Sequence, residues 1–155
     1  MGNKYIIRKV IIVNAKPEII FKILTDVANW NLWTKSVKSI TLLNKNSFDK
    51  GTKVKVVQPT LLPITWEITE IEKDKSFTWV SNPIGLKMTA KHIIKQKGDA
   101  TFVELITIYE GIFSGLIYIM TAGLTNQYMT MEINGLKDEA ENKINSSMDY
   151  IITGY

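Results

Sequence analysis

The stretch Leu86-Lys87-Met88-Thr89-Ala90-Lys91-His92-Ile93-Ile94-Lys95-Gln96 is followed at once by Lys97-Gly98-Asp99. Side chains reverse face at each step of a strand. Leu86, Met88, Ala90, His92 and Ile94 therefore share one face, while Lys87, Thr89, Lys91 and Lys95 share the other, with Ile93 the one apolar intruder. The first face is predicted to look inward. Lys97-Gly98-Asp99 supplies a tight reversal, because glycine accepts positive φ at no steric cost. The next strand reads Val103, Leu105, Thr107 and Tyr109 inward, and Glu104 and Glu110 outward with Phe102 and Ile106.

Upstream, the same alternation recurs between turn signals near residues 44–51, 59–63, 73–76 and 82–85. Phe77 and Trp79 share a face. Trp66 and Ile68 share another, and the phase slips before Ile71, which predicts a bulge. Val54, Val56 and Gln58 face inward on the strand that begins at Gly51. Six short strands between Val37 and Gly111 imply an antiparallel meander.

A further strand, rich in Ile and Val, runs from Lys4 to Ala15. Pro17 then opens a short helix, with Glu18 in its first turn and Ile19, Ile20, Ile23 and Leu24 at helical spacing. Asp26 is placed to cap a second short helix carrying Trp30 and Trp33. From Ser114 to about Ser147 the spacing predicts one long helix. Its apolar stripe is read as Leu116, Met120, Leu124 and Met131, continuing through Ile133, Leu136, Ala140 and Ile144. Gly115 and Gly123 mark a kink or a close approach to the sheet. The tail from Met148 to Tyr155 is left unassigned.

Bulk composition narrows the functions. The chain has 155 residues, with 45% hydrophobic and 22% charged, which suits an ordinary globular chain with one sizeable core. Cysteine is absent, so no disulfide, thiolate metal site or cysteine nucleophile exists. The net charge is +4, yet Arg8 is the single arginine and the lysines are scattered. Arginine's planar fork is the usual reader of phosphates and base edges, so no nucleic-acid partner is expected. Residues 1–4 carry no apolar signal core, and the stretch from Ile112 to Leu124 is too short to span a bilayer, which needs roughly 20 residues. The default location is cytoplasmic, with no transmembrane segment, and a monomer or a homodimer is equally compatible.

Strand, two short helices, six strands and a long helix, in that order, with local motifs, resemble the START-like (SRPBCC) superfamily, especially its polyketide cyclase/dehydrase-type bacterial members. The motifs are Val13-Asn14-Ala15-Lys16-Pro17-Glu18-Ile19-Ile20-Phe21, Leu24-Thr25-Asp26, Trp30-Asn31-Leu32-Trp33 and Trp66-Glu67-Ile68-Thr69-Glu70. They continue with Gly98-Asp99-Ala100-Thr101, Gly111 and Leu136-Lys137-Asp138-Glu139-Ala140-Glu141. The resemblance covers nearly the whole chain and implies one START-like domain over residues 1–155. It implies an α+β helix-grip fold, in which a curved seven-stranded antiparallel sheet wraps the long C-terminal helix and leaves a cavity. Members of the superfamily bind lipids, sterols, hormones or quinones, and some act as cyclases or aromatases, so the fold does not choose the function.

The expected cavity lining is Trp33, Val56, Trp66, Ile68, Phe77, Trp79, Met88, Ala90, His92, Val103, Leu105, Thr107 and Tyr109 from the short helix and the sheet. The long helix adds Leu116, Met120, Leu124 and Tyr128. Met88, Met120, Met129 and Met131 read as plain core at helical spacing, with a pliable cavity wall as the rival. His92, the single histidine, reads as a hydrogen-bonded core residue, with a ligand anchor or general acid/base as the rival. One histidine cannot supply most metal sites, so no metal is expected. No motif calls for a cofactor, since Gly111, Gly115 and Gly123 do not make a phosphate loop. Ser114 reads as a helix cap with no histidine–acid pair beside it. No charged side chain is placed among the inward polar groups, so no catalytic residue is assigned.

The leading expectation is therefore binding or transport of an apolar or amphipathic small molecule, lipid-like or polyketide-like. A cyclase/dehydratase-type enzyme using His92 with Tyr109 or Thr107 stands second, and a protein-interaction module third.

Overall fold

Strand alternation and turn chemistry decide most of the architecture. The computed structural model describes residues 2–152. β1 (Tyr5–Val13) leads to α1 (Pro17–Thr25), and a 3₁₀ turn (Val27–Asn29) leads into α2 (Trp30–Trp33). Six strands follow: β2 (Ser39–Leu42), β3 (Lys53–Val57), β4 (Ile64–Glu72), β5 (Ser76–Ser81), β6 (Lys87–Lys97) and β7 (Ala100–Glu110). The chain then enters α3 (Ser114–Ile152). The seven strands form one antiparallel sheet in the order β1-β7-β6-β5-β4-β3-β2. This is the helix-grip arrangement, with α3 lying across the concave face.

The meander sits where the turn residues place it. β6 and β7 pair from Lys87↔Glu110 to Lys97↔Ala100 around Gly98. The phase slip in β4 is a register shift between Ile68 and Glu70. The outward reading of Glu104 holds: on the convex face it pairs with Arg8 and lies 3.8 Å from Lys95. That Arg8 hydrogen bond holds the Glu104 carboxyl below its ordinary range, against the opposing effect of partial burial.

One half of the concave face is packed solid. Ile20, Ile23 and Leu24 of α1 and Leu136 and Ala140 of α3 join Val13, Ile68, Phe77, Ile94 and Val103 in the buried core. Several of the recurring motifs act here. The Thr101 hydroxyl donates to the Ala15 carbonyl at 2.7 Å, tying the β6–β7 hairpin to the entry of α1. Glu141 accepts from the Asn14 N–H at 2.9 Å, and Lys137 donates to the Ile12 carbonyl at 2.7 Å. The two bonds fasten α3 to the end of β1 and the residue after it. The Trp30 indole donates to the Leu24 carbonyl at 3.1 Å, locking α2 against α1.

Other local expectations are corrected. Asp26 makes no cap hydrogen bond to the helix behind it; its carboxylate accepts instead from the Asn29 side chain at 2.9 Å. Ser114 is not an accepting cap: its hydroxyl donates to the carbonyls of Gly111 and Asn3 at 2.7 and 2.9 Å. Gly123 has open space around it, whereas Gly115 meets the Tyr5 hydroxyl. The tightest glycine of α3 is Gly135, which lies against the backbone and ring of Trp33. The last three residues of the tail left unassigned, 153–155, lie outside the described residues.

Candidate functional site

The other half of the concave face is hollow. A cavity of about 420 Å³ lies between β3–β7, α2 and the first half of α3. That volume falls inside the range of small-molecule pockets, about 300–1,000 Å³. Its wall includes Val56, Trp66, Trp79, Met88, Ala90, His92, Leu105, Thr107 and Tyr109, all read as inward from strand alternation. Leu61 and Leu62 from the β3–β4 loop and Pro83 and Leu86 from the β5–β6 loop complete it. Leu62 lines the cavity and is also largely exposed, so the chamber opens beside it.

The mouth is held by two devices. Gly111, at φ 115°, approaches Gly85 so closely that a Cβ would meet the Gly85 carbonyl oxygen at 2.6 Å. That contact packs the β7–α3 connection onto the β5–β6 loop. On the other side the Tyr128 hydroxyl bonds both the hydroxyl and the backbone N–H of Thr60, at 2.8 and 3.2 Å, tethering the β3–β4 loop to α3.

Several expected lining residues stand elsewhere. Trp33 packs beneath α3 at Gly135, and Trp30, one helical turn earlier, takes the cavity wall. Ile68, Phe77 and Val103 are inward but belong to the solid half, where α1 and the end of α3 cover the sheet. Tyr128 is buried as a loop tether rather than on the wall. Leu116 and Met120 point to solvent, 58% and 71% exposed, beside Ile119 at 80%, and Leu124 is off the wall. The inward positions of this half of α3 are instead Ile117, Thr121, Thr125 and Glu132. Threonines thus share the inward face with Ile117, while Leu116, Ile119 and Met120 lie outside. The threonines are tolerated because the Thr121 hydroxyl donates to the Ile117 carbonyl at 2.7 Å and the Thr125 hydroxyl bonds that of Tyr109 at 2.9 Å.

The phase error concealed the main polar feature. Glu132 reaches into the cavity, and its Oε1 lies 2.9 Å from His92 Nε2. The two side chains are 14% and 5% exposed. This overturns the expectation that no charged group joins the inward histidine. His92 is both packed and polar: its ring stacks on Phe77 at 4.1 Å and 12°, and stands edge-on to Trp79 at 5.5 Å. Trp30, Trp66 and Trp79 continue the aromatic wall. A polar residue four positions after Tyr128 and three before Gly135 was the available signal, but only with the correct helical phase. Among the described residues no group of three metal-ligating side chains occurs, and no helix is long and apolar enough to cross a membrane.

A seven-stranded grip closed by one helix over a half-hollow core defines the START-like, Bet v 1-type helix-grip fold. The chain belongs to the family described as polyketide cyclase / dehydrase and lipid transport, whose model matches residues 5–141. Among solved structures it is similar to the Zhui aromatase/cyclase from a Streptomyces species, with TM-score 0.74, 13% identity, and coverage of 92% of this chain and 96% of that one. It is similar also to Ara h 8.0201 (TM-score 0.72, 11% identity, 90% and 99% covered). A START superfamily protein from Mycobacterium smegmatis gives TM-score 0.68 at 15% identity, with 88% and 97% covered. At these identities the likeness is one of fold. No curated protein matches the sequence.

Proposed function

We propose that the chain binds an apolar or amphipathic small molecule in the cavity under α3. The carrying observation is the chamber itself: about 420 Å³, walled by Trp30, Trp66, Trp79, Met88 and Leu105. Affinity would come from apolar surface withdrawn from water, at roughly 25 cal/mol per Å². Native mass spectrometry of the protein purified from its own host, followed by extraction, tests the reading. A stoichiometric apolar adduct is expected. Protein that carries none, and that takes up no neutral hydrophobic dye, would refute it.

The His92–Glu132 couple favours a second reading, a cyclase- or dehydratase-type enzyme. Proton transfer at a substrate needs a titratable group within hydrogen-bond reach, and this pair lies on the wall of the same cavity. Under this reading Glu132→Gln abolishes turnover of a polyketide-like substrate while the substrate still binds. Unchanged turnover would leave the binding role alone.

A further inference from the structure

The polar content of the cavity is one-sided. Glu132 supplies a carboxylate, and among the described residues no lysine or arginine side chain faces it from the wall. Lys91 borders the chamber, but it lies between Ala90 and His92 and pairs across to Ile106, so strand alternation turns its ammonium to the convex face. Two of the wall hydroxyls are already committed as donors: Thr107 to the Met129 sulfur at 3.3 Å and Thr121 to the Ile117 carbonyl at 2.7 Å.

His92 fixes how the carboxylate is presented. Its Nδ1 is buried with no hydrogen-bond partner among the described residues, while Nε2 faces Glu132. The tautomer with its hydrogen on Nε2 donates to Glu132 and leaves no N–H unpaired. A doubly protonated ring would bury an Nδ1–H with no acceptor, which is costly. In that tautomer the imidazole is a neutral donor to Oε1. The other oxygen, Oε2, has no protein donor among the described residues, and an ionised carboxylate only accepts.

We infer that this cavity selects amphiphiles whose polar end donates a hydrogen bond, a hydroxyl or an amine, and rejects those that end in a carboxylate, sulfate or phosphate. The inference rests on the cavity-binding reading and adds the class of ligand. An anionic end would face Glu132 without a compensating cation, whereas a hydroxyl or ammonium would satisfy Oε2 and bury its chain against the tryptophans.

The test uses three ligands with one chain length and three ends: decanol, decylamine and decanoate. Each competes with the neutral fluorophore N-phenyl-1-naphthylamine bound to the full-length protein. Decanol and decylamine are expected to displace it at concentrations about tenfold lower than decanoate, the size of one charge-assisted hydrogen bond. Decylamine ahead of decanol would indicate charge attraction, and parity would indicate hydrogen bonding alone; both support the inference. In Glu132→Gln, checked for fold by circular dichroism, the disadvantage of decanoate should shrink severalfold. Decanoate binding as tightly as decanol to the unaltered protein would overturn the inference and leave the cavity reading intact. An undiminished disadvantage of decanoate in Glu132→Gln would likewise overturn it. A fluorophore that does not bind, or that none of the three displaces, would sink both readings.

Discussion

Two glycines of α3 should respond to alanine with opposite signs. Both lie inside the helix, where alanine is favoured over glycine by about 1 kcal/mol. At Gly123 an added Cβ meets nothing within 4 Å, so Gly123→Ala should realise that gain. At Gly135 the Cβ would fall under 3.0 Å from the Trp33 carbonyl oxygen and 3.3 Å from its ring. A backbone carbonyl cannot rotate aside, so α3 or α2 must move. Forcing a methyl into such a contact costs about 1–3 kcal/mol, which equals or exceeds the propensity gain. The net effect should be a destabilisation of up to about 2 kcal/mol. For a chain of this size 1 kcal/mol moves Tm by about 2–4 °C. Urea titration and thermal melting of the two variants beside the parent read the difference directly. Gly135 lies three residues after Glu132, so lifting α3 there should also lengthen the 2.9 Å bond to His92. Discrimination between decanol and decanoate should then weaken in Gly135→Ala and stay intact in Gly123→Ala. A Gly135→Ala variant as stable as Gly123→Ala would refute the claim that close contact at Trp33 sets the height of α3 above the sheet.

Other perturbations follow from the same geometry. His92→Phe keeps the stack on Phe77 but strips Glu132 of its donor, so urea titration should show a loss of about 1–3 kcal/mol together with altered ligand order; unchanged stability and selectivity would show that the pair does nothing. Tyr128→Phe removes the bonds to Thr60, so hydrogen exchange at residues 60–62 should quicken, with a global loss of about 1 kcal/mol; unaltered exchange there would dismiss the tether. The Glu104 carboxyl sits below its ordinary 4.5, chiefly through the Arg8 hydrogen bond, and Glu141 is lowered first by the Asn14 N–H. A carboxyl depressed on folding contributes stability that is present above its unfolded value and is lost as pH falls through the folded one. Stability should therefore decline on acidification below about pH 4.5, and Glu104→Gln should make that decline shallower; identical pH profiles for the two proteins would contradict it.

The sequence by itself determined the strands, their faces and their order. Period-two alternation in β6 and β7, the Gly98 turn and the phase slip in β4 are local signals, and neighbouring residues suffice to express them. The late half of α3 was legible for the same reason: Ile133, Leu136 and Ala140 press on a solid core, so burial and hydrophobicity coincide. Tertiary structure decided the early half. There the inward face borders the cavity, so Thr121, Thr125 and Glu132 are admitted where solid packing would have demanded leucine. Leu116, Ile119 and Met120 are left outside. A hydrophobic stripe marks the buried face of a helix only where that face is filled. Over a cavity the rule lapses, and the placement of Glu132 against a histidine 40 residues earlier depends on the separation that Gly135, Trp33 and the Lys137–Glu141 contacts set between helix and sheet.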